Sequence, residues 1–94
     1  MKKNRVKEMM KAGKTTVGVW VGTASSDISE VLSHMGFDWL VFDGEHSYLT
    51  FETMQNLMQP MNGTDTVPIV RVAWNDPVLI KRALDIGAYG VIIL

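Results

Sequence analysis

The sequence predicts an α/β fold built on a parallel sheet. Three observations carry this: short β-branched and aromatic runs start near residues 17, 39, 69 and 91, helical apolar spacing fills each gap between them, and the runs are continuously apolar rather than alternating. Strands separated by helices at this spacing form right-handed βαβ units, which place all strands parallel.

The elements follow in order. A first helix is expected over residues 3–12, with Gly13 as its stop signal. Residues 17–21, Val-Gly-Val-Trp-Val, read as a buried strand closed by Gly22. Ser25 or Ser26 can cap a second helix whose apolar positions Ile28, Val31, Leu32 and Met35 keep helical spacing, and Gly36 ends it. Residues 39–42, Trp-Leu-Val-Phe, give a second strand, continuous as expected for one covered on both faces. Thr50 can cap a third helix with Phe51, Met54, Leu57, Met58 and Met61 along one stripe, ended by the stretch 60–63. Residues 68–72 form a third strand, after which Asp76 and Pro77 read as a cap and a first helical position. That fourth helix turns Ile80, Ala83 and Leu84 inward and ends at Gly87. Residues 91–94 are the fourth strand, an interior type of strand that needs a neighbour on its far side. Two helix-to-strand joints, starting at Gly36 and Gly87, look like one structural joint used twice.

Composition narrows the function classes. The chain of 94 residues is expected to be a single domain, and a complete (β/α)₈ barrel normally takes about 250 residues. No uninterrupted apolar run approaches the ~18 residues of a membrane span, so no membrane role is expected. Zero cysteines exclude disulfides, thiolate metal sites and a cysteine nucleophile, and suit a reducing, cytoplasmic setting. The net charge of −1 conceals a head, residues 1–14, at +5 and a remainder at −6. Without interleaved aromatics or a nucleic-acid motif, that head reads as a solvated amphipathic helix, not a nucleic-acid or membrane contact.

In parallel-sheet folds the chemistry lies just past the carboxyl ends of the strands. Those positions hold Trp20 after the first strand, Asp43-Gly44-Glu45-His46 after the second, and Arg71 with Trp74 nearby after the third. The 43–46 segment packs two carboxylates and an imidazole around a glycine, which suits either an ordinary polar turn or a histidine oriented by a carboxylate for general-base work. Arg71 sits inside an apolar run, where a guanidinium is costly unless paired or facing a pocket. It could grip a carboxylate ligand through paired hydrogen bonds, or form an ion pair with Asp43 or Glu45. Consecutive residues rarely supply the geometry of metal ligands, so these groups read as acid/base or supporting candidates. His34 is placed to meet a helix dipole, and the methionines of the third helix look like core.

Four blocks in order resemble the HpcH/HpaI aldolase family: residues 37–46 (Phe-Asp-Trp-Leu-Val-Phe-Asp-Gly-Glu-His), 68–72 (Pro-Ile-Val-Arg-Val), 74–77 (Trp-Asn-Asp-Pro) and 80–87 (Ile-Lys-Arg-Ala-Leu-Asp-Ile-Gly). The resemblance implies strands one to four, the N-terminal part, of a (β/α)₈ TIM barrel of the phosphoenolpyruvate/pyruvate type. It further implies an oligomeric, class II, metal-dependent lyase that cleaves or joins a 4-hydroxy-2-oxo acid, pyruvate and an aldehyde. By resemblance His46 matches the catalytic base, Asp43 the acid that supports it, and Glu45 a carboxylate near a metal-bound water. Arg71 matches the residue that grips pyruvate and stabilises the enolate, and Trp20 a tryptophan of the active-site region. The implied metal, Mg²⁺, Mn²⁺ or Co²⁺, acts as a Lewis acid on the enolate, and the family's metal ligands come from strands beyond Leu94. The 94-residue chain is therefore expected to bind no metal at that site and to show no turnover alone. The contrasting expectation is a catalytically incomplete half-barrel that acts as an oligomerising interaction module.

Overall fold

The computed structural model describes residues 3–93, so Lys2 of the basic head and Leu94 of the predicted last strand lie outside it. The elements are α1 (Arg5–Lys11), β1 (Gly18–Val21), α2 (Ser26–Ser33), β2 (Trp39–Asp43), α3 (Phe51–Met58) with a 3₁₀ turn (Gln59–Met61), β3 (Val67–Arg71), α4 (Pro77–Asp85) and β4 (Gly90–Ile92). The strands lie in the order β1-β2-β3-β4 with every neighbouring pair parallel. The α/β class and parallel sheet expected from the sequence are both present. Among the described residues no helix is long and apolar enough to cross a membrane.

Each helix starts where a short polar side chain can accept an otherwise unpaired amide. Asn4, Ser25, Thr50 and Asp76 accept from Lys7, Ile28, Thr53 and Val78 respectively. The two glycine joints are indeed alike. Gly36 and Gly87 take φ of 89° and 122°, a region that a side chain makes costly. Two residues beyond each, the amides of Asp38 and Tyr89 donate to the neighbouring strand, at Val17 O (2.7 Å) and Pro68 O (2.8 Å).

Alternation along the strands divides the sheet into two faces. Leu40, Phe42, Val70 and Val72 point to the helices, where they join Met54, Leu57, Met58, Met61 and Ala83 in one buried cluster. The other face carries Trp20, Val41, Asp43, Ile69 and Arg71 by the same alternation, in neighbouring registers Trp20↔Val41, Val41↔Ile69 and Asp43↔Arg71. Here α1 covers the end opposite Asp43 and Arg71. Its Val6 and Met10 line a groove of about 470 Å³ with Val67, Ile69 and Gly90. It is latched to both glycine joints, Arg5 to the Asp38 carboxylate at 2.8 Å and the Asn4 side chain to the Tyr89 carbonyl at 3.0 Å.

One expectation about helix faces needs correction, at Leu84 of α4, and α2 places its apolar positions unevenly. The apolar positions of the second helical segment divide: Ile28 and Val31, and Met35 just past the end of α2, are exposed, Leu32 packs against the core, and Ser29 and Ser33 are buried. Small side chains let α2 approach α3 closely, and their hydroxyls are satisfied by backbone carbonyls, Ser29 by Ser26 and Leu57, Ser33 by Glu30. The helix also stops at Ser33, because the amides of His34 and Met35 turn back to Val31 and Leu32, tightening the last turn. In α4, Ala83 is fully buried and Ile80 packs on the core, but Leu84 is about half exposed. The α3 stripe, by contrast, is buried as expected, with Met54, Leu57, Met58 and Met61 each at most 4% exposed.

Candidate active site

The sheet's second face brings its polar residues to one edge. Because Asp43 and Arg71 are register partners at the carboxyl ends of β2 and β3, their side chains emerge side by side. Trp20, one position short of the end of β1, completes the row: its indole N–H donates to Asp43 Oδ2 at 3.1 Å. The Arg71 guanidinium lies over the Trp20 ring at 5.2 Å, a cation–π distance.

Asp43 organises the loop that follows it. Its Oδ1 accepts the amides of Glu45 and His46, each at 2.9 Å, which curls residues 44–46 back over the strand end. Burial pushes the Asp43 carboxyl up, but the His46 and Glu45 amides, the Trp20 indole and the Arg71 charge together outweigh it and hold its pKa below the usual aspartate value. The carboxylate is therefore ionised at neutral pH.

Gly44 serves a different purpose from the one its sequence context suggests. Its φ is not positive, so the turn itself does not demand glycine. A Cβ at this position would meet the Arg71 carbonyl oxygen at 2.8 Å, and the Gly44 amide donates to that same oxygen at 2.9 Å. Glycine is needed because the loop passes close against the end of β3.

The carboxylate on the imidazole is Glu45, not Asp43. His46 Nε2 lies 2.7 Å from Glu45 Oε1, and Asp43 reaches His46 through the backbone amide. The same Glu45 oxygen accepts from Arg71 Nη2 at 3.2 Å. Arg71 Nε sits 3.4 Å from Asp43 Oδ1 yet makes no hydrogen bond, leaving a buried donor unspent. The ion pair anticipated for Arg71 thus exists with both carboxylates. The imidazole is largely exposed, whereas the Arg71 side chain is only 11% exposed.

Two residues that sequence reasoning passed over reinforce this edge. The Ser47 hydroxyl donates to the Asp43 carbonyl, and the Tyr48 hydroxyl accepts the Ala24 amide at 3.2 Å, tying the loop after β2 to the loop after β1. Neither belongs to a recognisable pattern, since a serine and a tyrosine in a polar loop carry no periodicity. Trp74 and His34 are exposed and join none of these contacts.

The fit to a divalent cation is poor for these residues alone. Among the described residues no three His, Asp or Glu side chains converge as a ligand set, and both carboxylates here are directed at Arg71. What the arrangement can do is hold an anion against a buried guanidinium with a carboxylate-oriented imidazole beside it.

The chain is similar to known proteins along almost its whole length. The profile of the HpcH/HpaI aldolase/citrate lyase family matches residues 16–93. A 4-hydroxy-2-oxo-heptane-1,7-dioate aldolase from Salmonella dublin is 43% identical over 91 residues, which is 97% of this chain and 35% of that protein. Among solved structures, an HpcH/HpaI aldolase/citrate lyase family protein from Burkholderia cenocepacia J2315 superposes with a TM-score of 0.88 at 31% identity, over 97% of this chain and 37% of that one. An HpcH/HpaI aldolase from Desulfitobacterium hafniense DCB-2 gives 0.83 at 30% identity, over 94% and 34% respectively. The chain spans about a third of the length of the curated relatives it matches.

Proposed function

The chain belongs to the HpcH/HpaI aldolase/citrate lyase family, and from that premise we propose that its sheet edge is part of the active site of a lyase. The reaction is cleavage of a 4-hydroxy-2-oxo acid to pyruvate and an aldehyde, or its reverse. The observation that carries this reading is the Arg71 guanidinium, only 11% exposed, set at the carboxyl edge over the Trp20 ring and beside a histidine in contact with a carboxylate.

Each residue then has a task. Arg71 binds the 2-oxo acid and holds the negative charge that develops as the C3–C4 bond breaks and its electron pair moves onto the pyruvate enolate. His46 takes the proton of the C4 hydroxyl in cleavage and returns it in condensation. Asp43 fixes the loop that carries His46 and keeps a negative charge beside Arg71. Trp20 stacks on the guanidinium and limits its rotation. The divalent ion implied by the family resemblance, Mg²⁺, Mn²⁺ or Co²⁺, would draw its ligands from outside the described residues, and no step above is routed through it. The cysteine-free composition supports a cytoplasmic setting.

The test is pyruvate release from 4-hydroxy-2-oxo-heptane-1,7-dioate with divalent cation added. The 94-residue chain by itself is expected to stay at the uncatalysed rate. Fused to the remaining two-thirds of a 43%-identical relative it should release pyruvate, and His46→Ala in that fusion should cost at least ~100-fold. Turnover that survives His46→Ala would overturn the assignment.

A second reading rests on the exposed apolar side chains of α2 (Ile28, Val31), of Met35 just past its end and of α4 (Val78, Leu84), which suit a module that assembles with further copies. Native mass measurement of the purified chain decides it. A monomer at micromolar concentration contradicts that reading.

A further inference from the structure

Glu45 stands between two groups to which the aldolase reading gives separate tasks. Its Oε1 meets Arg71 Nη2 at 3.2 Å and His46 Nε2 at 2.7 Å. The three residues differ greatly in how firmly they are held. Arg71 projects from a strand, is only 11% exposed, and is wedged between the Trp20 ring and two carboxylates. His46 lies on a loop, its side chain is 71% exposed, and its Nε2 is in contact with the Glu45 carboxylate. Arg71 therefore fixes where the Glu45 carboxylate sits, and Glu45 fixes where the imidazole sits.

We propose that Glu45 is a positioning residue that transmits the occupancy of Arg71 to the His46 ring. A carboxylate ligand approaching Arg71 seeks the same guanidinium donors that Glu45 now uses, and a third carboxylate beside Asp43 and Glu45 adds like-charge repulsion around one cation. Ligand capture thus loosens Glu45 from Arg71 and leaves it to His46 alone. The base is reoriented as the 2-oxo acid arrives. The identity of the ligand rests on the aldolase reading; the linkage from Arg71 through Glu45 to His46 does not.

The chain has two histidines, His34 and His46, so the ring carbon–proton NMR signals at fixed pH report one remote and one linked imidazole. Arg71→Met is expected to move the His46 signal and leave His34 in place. In a Glu45→Ala background the same Arg71→Met step should leave His46 unmoved, while a Glu45→Gln background, which keeps an oxygen acceptor, should restore part of the response. Arg71→Lys retains the buried charge and repeats the cycle if the methionine variant unfolds. A His46 response of equal size in the Glu45→Ala background, or none in the wild-type background, would overturn the linkage. Sodium pyruvate provides the ligand arm: it should move the Trp20 indole signal with and without Glu45, but the His46 signal only with it. Pyruvate that moves Trp20 but leaves His46 still in the wild-type chain would also overturn the linkage. If pyruvate moves neither signal while the variant cycle holds, capture of a 2-oxo acid by Arg71 in this chain fails and the linkage stands.

Discussion

Phe42 and Asp43 are consecutive in β2, and Val70 and Arg71 in β3, yet within each pair the two residues face opposite layers. Phe42 and Val70 are fully buried against α3 and its 3₁₀ turn, where nothing but packing is asked of them. Asp43 and Arg71 are nearly as buried, but they hold charges, a cation–π contact and an unspent donor. A one-residue step in a strand changes the face, and so the task. The comparison teaches that this sheet builds its main apolar core on one face and gathers its charged groups at the edge of the other. Substitutions should separate the two.

The largest expected effect is on the helix side. Phe42→Ala should lower unfolding free energy by about 3–5 kcal/mol in urea titration, through lost burial and the cavity left beneath α3. Gly44→Ala should cost less, about 1–3 kcal/mol, because its Cβ must push the Arg71 carbonyl away. It should also disturb the Trp20 indole signal, which Phe42→Ala at most broadens. The third effect depends on pH. The folded pKa of Asp43 is depressed, so its contribution is fully present above its unfolded value of about 3.9 and is lost as pH falls through the lower folded value. Wild-type stability should therefore drop on acidification through that window, and Asp43→Asn should flatten the drop. The smallest effect belongs to the outer face of α2, where Val31→Ser should change stability by no more than about 0.5 kcal/mol. A large loss there would show that α2 is covered by a partner in solution.

The same two faces explain what the sequence could and could not reveal. The strands, the caps of α2, α3 and α4 and the repeated glycine joint were legible because each depends on local chemistry: β-branched runs, short polar side chains before helices, and a backbone angle that favours glycine. The α3 stripe was legible because that helix is flanked by packed neighbours and its apolar face has one place to go. The α2 positions have the same spacing, but Ile28 and Val31 are exposed while Leu32 packs on the core, since the close approach to α3 selects Ser29 for size. Periodicity identifies a face without saying which neighbour it meets. At the site, Asp43 and Arg71 were identifiable from strand-end position. Their being register partners, and the need for Gly44 at the β3 carbonyl, depend on pairing between segments more than 25 residues apart. The choice of Glu45 over Asp43 as the partner of the His46 ring depends on loop geometry that consecutive residues do not encode.

The claim that joins these findings is that the sheet's polar edge captures a 2-oxo acid through Arg71. Its most direct measurement is a titration of the chain with sodium pyruvate, following the Trp20 indole N–H, for wild type and Arg71→Met with folding verified for both. Saturable movement of the indole signal in the wild type and its loss in Arg71→Met is the predicted result. An unresponsive wild type, or an equal response in the two proteins, would contradict it.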